Sequence, residues 1–102
     1  MITNHQISNL TISQIFSSTS QSAITTAIFC NVSTSTAALD VYIVPFPQNA
    51  SSLVNQVIKG VIIPPAETFV LDTERFILED KDAIYAQVDA GIVISTISSV
   101  NT

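Results

Sequence analysis

GVIIPPAETFVLDTERFILEDKDAIYAQVD, residues 60–89, reads as four short apolar runs, each closed by turn residues. That rhythm is the signature of consecutive antiparallel strands. Val61-Ile62-Ile63 stops at Pro64-Pro65, because proline cannot donate to a ladder and its fixed φ suits a turn. Thr68-Phe69-Val70-Leu71 follows, with Phe69 and Leu71 on one face at the strand period of two. Asp72-Thr73-Glu74-Arg75 supplies a polar connection in which Asp72 can accept from the backbone two residues on, mimicking a turn. Phe76-Ile77-Leu78 resumes the apolar pattern, Glu79-Asp80-Lys81-Asp82 makes a second polar connection, and residues 83–88 alternate Ile84, Ala86 and Val88 against Tyr85 and Gln87.

Outward from that stretch the same pattern continues. Residues 10–16 alternate loosely and predict a first strand, after which 17–22 form a loop by composition. Residues 23–32 place Ile24, Thr26, Ile28, Cys30 and Val32 on one face, read as core, and Ala23, Thr25, Ala27, Phe29 and Asn31 on the other. Cys30 is then a small core residue. Residues 37–46 set Leu39, Val41 and Ile43 against Asp40, Tyr42 and Val44, ending at Pro45 or Pro47. Residues 47–52 read as a loop, and 53–58 as strand in preference to a helical turn at 51–55. Asp89-Ala90-Gly91 predicts a three-residue hairpin with Gly91 at positive φ, leading into a last strand at 92–97. Residues 1–8 show no clear period and are expected to form an N-terminal arm, ordered only against a neighbour. The fold class that follows is all-β: a single antiparallel β-sandwich over residues 1–102, jelly-roll or Ig-like, with about seven or eight strands.

The 102 residues suffice for one domain. Area scaling gives a folded surface of roughly 5,600 Å², about a third of what the unfolded chain exposes, so a core can form without disulfides or metal. The lone Cys30 cannot form an internal bridge, which suits folding in a reducing cytoplasm. Apolar runs are only a few residues long and no basic segment precedes one near the start, so neither a signal peptide nor a membrane span is expected.

Only 11% of residues are charged, less than half the common level of about 25%. Nine of the eleven charges fall in residues 67–89, while the first 58 residues hold only Asp40 and the last 13 hold none. Two readings compete for the uncharged remainder: a Ser/Thr-rich surface of the secreted style, or a surface covered by copies of itself or by other proteins, since interface cores are depleted in charge. A net charge of −5 with only Lys59, Arg75 and Lys81 basic argues against nucleic acid, because little could displace phosphate counterions.

No catalytic, cofactor or metal constellation is legible. His5 and Cys30 are too few for a structural zinc, which takes four ligands. Asp80 and Asp82 flank Lys81 like the start of a cation loop, without its glycine and distal glutamate, and read as a solvated hairpin. Asp72, Glu74 and Glu79 lie on turns beside Arg75, where surface pairing explains them better than a glycosidase pair. With only Gly60 and Gly91, a phosphate cradle is hard to build. The triplets at Asn9, Asn31 and Asn49 fit the glycosylation pattern by chance in so hydroxyl-rich a chain.

Residues 23–44, AITTAIFCNVSTSTAALDVYIV, followed by VIIPPAETFVLDTERFILEDKDAIYA, resemble small β-rich virion structural proteins of tailed phages, of the marine and cyanobacterial type. The resemblance lies in a C-N-x-S turn after a strand, a D-V-Y-L-V-like strand, an I-P-P-G-E-like corner and an L-E-x-G-D-x-I-Y-like hairpin. It covers roughly residues 15–98. Ala66 and Lys81 stand where that family has glycine, which implies a corner without an easy positive φ and a different turn at the later hairpin. The resemblance implies a non-enzymatic virion component without cofactors, a capsid decoration or cement protein or a tail-associated part, made in the host cytoplasm. Its partners would be copies of itself, a trimer among the options, and other capsid or tail proteins, with no nucleic acid or membrane. Phe29, Tyr42 and Tyr85, on strand faces opposite the inferred cores, are the candidate interface residues, with core membership as the alternative. The arm and residues 98–102 are the segments expected to reach a neighbour. A receptor- or glycan-binding module of a fibre or baseplate is the rival reading; it needs exposed aromatics, and the chain has no Trp and two Tyr.

Overall fold

The computed structural model describes residues 1–9, 11–48, 53–71 and 76–101. Nine strands form: β1 Ile2–Ser8, β2 Ser13–Ser17, β3 Ser22–Asn31, β4 Ala37–Val44, β5 Gln56–Ile63, β6 Thr68–Leu71, β7 Phe76–Leu78, β8 Ala83–Val88 and β9 Ile92–Asn101. Among the described residues a 3₁₀ turn, Leu53–Asn55, precedes β5, which corrects the strand expected from 53 onward to one that begins at Gln56. The connection expected at 72–75, positions 49–52 of the loop at 47–52, Leu10 and Thr102 lie outside the described residues.

The strands pair as a nest, all antiparallel: β1 with β9, β2 with β8, β3 with both β6 and β7, and β4 with β5. The first half of the chain thus runs against the second half as one long hairpin. Rolling that hairpin up adds the pairs β3–β9 and β4–β8. Two sheets result, β1-β9-β3 with β6 and β7 sharing the far edge (sheet one), and β2-β8-β4-β5 (sheet two). This is a jelly-roll sandwich. Its surface of 5494 Å² matches the size expectation.

Nested pairing corrects two local expectations. The four runs in 60–89 are strands, but they alternate between sheets: β5 and β8 belong to sheet two, β6 and β7 to sheet one. Neither 79–82 nor 89–91 closes a hairpin; each carries the chain from one sheet to the other. Gly91 nevertheless has the expected positive φ of 73°. The expected arm at 1–8 is likewise corrected. Seven consecutive residues of β1 pair with β9, which is ten residues long and would otherwise leave that edge bare. Its half-polar composition hid the strand, for only Ile7 of β1 is fully buried.

The core lies between the sheets, with Phe29, Ile24 and Ile97 from sheet one meeting Leu39, Val88 and Ile63 from sheet two. Full burial of each such side chain contributes about 1.5–3 kcal/mol. In β3 the alternation breaks. Between Ile24 and Thr26 two steps on β3 oppose one on β9, so Thr25 is an extra residue and its hydroxyl donates to Ser98 O and Ser98 Oγ, both at 3.1 Å. This bulge lies where β7, paired with residues 22–24, gives way to β6, paired with 27–30. It moves Ala27, Phe29 and Asn31 inward beside Ile24, and turns Ile28, Cys30 and Val32 outward.

Candidate interaction surface

The outer face of sheet one follows from these registers. β9 contributes Ile92, Ile94, Thr96, Ser98 and Val100, opposite Ser8, Gln6, Asn4 and Ile2 of β1 and Cys30, Ile28, Thr26 and Ala23 of β3. Val70 and Thr68 of β6 and Ile77 of β7 complete it. Among the described residues no position on this face carries Asp, Glu, Lys, Arg or His. Six exposed aliphatics, Ile2, Val32, Val70, Ile77, Ile92 and Val100, lie on it or at its ends, between 37% and 69% exposed. Ser, Thr, Asn and Gln fill the remainder; Thr96 Oγ1 donates to Asn4 Oδ1 at 2.9 Å across β9 and β1. Cys30, expected in the core, is half-buried near the middle of this face.

Of the three aromatic residues expected to make contacts, two are withdrawn by burial. Phe29 is 1% exposed and faces Phe69 across β3 and β6, ring centroids 6.3 Å apart; the bulge at Thr25 reverses the face on which it was expected. Tyr42 does lie on the side of sheet two away from the main core, directly opposite Tyr85. It is nevertheless buried, as are Val44 and Ala83 on the same side of the sheet, and the 3₁₀ turn packs against β4. Burial, and then the nearby Asp40 charge, raise the Tyr42 phenol above its ordinary pKa. Tyr85 is half-buried, its hydroxyl donating to Gln14 Oε1 at 3.2 Å.

None of the described acids lies on the neutral face, though Glu67 borders it before Thr68 and Glu79 follows β7 at its edge, and three others hold backbone. Asp40 Oδ1 accepts from Gly60 N at 2.8 Å, beside a bulge in β5 where Gly60 takes φ 68°. Asp89 Oδ1 accepts from Ala38 N at 2.8 Å. Asp82 accepts from Phe46 N and Glu79 N, both at 2.9 Å, and so fastens the 79–82 connection to the end of β4. Both Asp82 oxygens are thus engaged by the chain itself, which explains the acidic run at 79–82 as a latch.

A polar knot that the residue pattern did not single out lies at the other end of the sandwich. Asn31 is fully buried. Its Nδ2 donates to Ser35 O and Ile63 O, both at 2.8 Å, while its Oδ1 accepts from Ser33 N at 3.0 Å and Ser33 Oγ at 2.7 Å. Its backbone bonds to the corner after β5: Asn31 N donates to Glu67 O, and Ala66 N donates to Asn31 O. One side chain therefore ties the 33–35 turn to the Pro64-Pro65 corner. A Cβ at Gly91 would collide with Ser33 Oγ, so the 89–91 connection packs against the same knot. Asn-x-Ser, a side-chain turn signal, was the only cue in the sequence. Ala66 and Lys81 also differ from expectation, since both adopt positive φ, 63° and 73°. Glycine-type turns are kept there, each held by a backbone bond, Ala66 N to Asn31 O and Lys81 N to Ser18 O.

No cleft or enclosed cavity opens among the described residues, and no helix is long and apolar enough to cross a membrane. What the arrangement offers chemically is surface: one neutral sheet face, and ends carrying acids. Comparison of the chain with protein families, characterised proteins and solved structures finds no match.

Proposed function

We propose that this chain is a non-enzymatic structural component of a tailed-phage virion, a capsid decoration or tail-associated protein that works by packing against copies of itself and other virion proteins. The observation that carries the reading is the outer face of sheet one, which bears no charged side chain among the described residues. Small solvated domains normally keep charge distributed over their surface, whereas contact surfaces lose it at their centre. The resemblance of residues 15–98 to phage virion proteins supports the same reading. So does the jelly-roll architecture, which viral capsid and lectin domains both use, though only as an analogy of fold. On a symmetric particle many copies add avidity, so modest contacts per copy suffice. The glycan-binding alternative would rest on Tyr85 and the exposed ring of Phe46, because Tyr42 is buried and offers no ring for a sugar to stack on.

Electron microscopy of particles purified from cells that carry the gene tests the proposal. The expected result is density for this sandwich at symmetry-related positions on capsid or tail, with sheet one turned toward a neighbour. Recovery of the chain only outside particles would overturn it.

A further inference from the structure

We propose that the outer face of sheet one is the seat of a second copy of this chain, related to the first by a two-fold axis near Thr96. The inference rests on the packing role above and names its first partner. Three properties of the face select a copy of itself over a differently composed protein.

The first is hydrogen-bonding chemistry. Ser, Thr, Asn and Gln each both donate and accept, so a face built of them can pair with an identical face. In a two-fold contact residue i meets j and j meets i, and any ion near the axis would meet its own like. Neutrality at the axis is therefore what an isologous contact requires. The second is the distribution of charge. The chain carries a net charge of −5, and contact through sheet two would bring Asp40, on its outer side, toward the Asp40 of the other copy. Contact through sheet one keeps Asp40, Asp82 and Asp89 outside the junction and leaves Glu67 and Glu79 at its rim, away from the axis at Thr96. A basic partner, by contrast, would be drawn to the acidic 79–82 end and would gain nothing from this face.

The third is size. The molecule measures 38 × 24 × 20 Å. The rectangle that encloses its broadest side is roughly 900 Å², so a contact covering most of one face approaches the ~800 Å² per partner of a standard-size interface. Two sheets stacked about 10 Å apart is also how aliphatic and hydroxyl-bearing strands pack within a sandwich. Half-buried Ile28 and Ile94, beside Thr96, form the centre, and the exposed aliphatics form a surrounding ring.

The test uses the whole chain. Light scattering between about 1 and 100 µM, the range in which standard-size interfaces begin to assemble, is expected to give twice the 10.9 kDa of one chain. Cys30 on the same face is a built-in reporter: its labelling by a thiol reagent falls about tenfold once nine-tenths of the chains are paired. Thr96→Lys places two cations across the axis and is expected to restore monomers and fast labelling, while Gln87→Lys, the same charge change on sheet two, leaves both unchanged. Dimers that persist in Thr96→Lys with Cys30 freely labelled would overturn the choice of face and leave self-association standing. A wild-type chain that stays monomeric throughout overturns the proposal, and if that monomer still binds particles the virion role survives without it.

Discussion

Asn31 is the residue whose replacement distinguishes a fold held by its apolar layers alone from one that also depends on the polar knot. Its side chain makes four hydrogen bonds from a site with no exposure to water. Each contributes about 0.5–1.5 kcal/mol net, and a buried acceptor left bare costs about 1–3 kcal/mol more. Asn31→Ala loses all four. The partners on Ser33 and Ser35 lie near water and recover part of the loss, whereas the bond to Ile63 O is buried. The net cost is therefore about 3–4 kcal/mol, a fall in Tm of roughly 15–25 °C for a domain of this size.

Urea unfolding followed by circular dichroism measures it. Asn31→Asp separates the geometry from the packing: it keeps an acceptor toward Ser33 but turns an oxygen, in place of the amide donor, toward the carbonyls of Ser35 and Ile63. It should cost at least as much as alanine despite its closer shape. Ser33→Ala, which removes one hydroxyl, should cost about 1 kcal/mol. If Asn31→Ala falls within about 1 kcal/mol of the wild type, or Asp is tolerated as well as Asn, the amide does not hold the corner and the reasoning fails.

Ala66→Gly should stabilise by about 0.5–1 kcal/mol, since relief of the left-handed conformation outweighs the extra freedom of the unfolded chain; a denaturant midpoint that falls would contradict the positive φ. Lys81→Gly should gain less or nothing, because it also removes the Lys81 Nζ contact 5.0 Å from the Phe46 ring centroid. The raised Tyr42 phenol predicts alkaline sensitivity. With the folded pKa above the unfolded value near 10, the stability linked to the neutral phenol is complete below about pH 10 and is lost as pH rises toward the folded pKa. Tyr42→Phe should therefore show a flatter decline of Tm above pH 10 than the wild type, and identical slopes would count against burial of the ring.

Strand existence was legible in the sequence because period-two alternation and proline or polar punctuation are local signals, and β6, β7 and β8 fall where those signals put them. Pairing was not, because a jelly roll joins residues far apart in the chain; Ile2 faces Ser98 and Ser13 faces Ala86. Hairpin signals such as Gly91 report a turn and its φ, without saying which sheet the chain enters next. The neutral surface was foreshadowed by the crowding of charge into 67–89, but its location depended on the phase of β3, which alternation alone misassigned.

That phase links core to surface. Were β3 regular, Ile28 and Cys30 would follow Ile24 into the core, and Phe29 and Asn31 would stand outside. The extra residue Thr25 instead gives the interior a phenyl ring opposite Phe69 and the amide that ties Ile63 to Ser35. It leaves the outer face small aliphatic, hydroxyl and thiol groups. A phenyl ring there would project beyond its aliphatic and hydroxyl neighbours and hold a stacking partner away, while Ile28 and Cys30 are closer to them in size. The same one-residue insertion that completes the knot at the corner thus also gives the outer face of sheet one Ile28 and Cys30 in place of a ring and a carboxamide, and it is on these side chains that a copy of itself is proposed to lie.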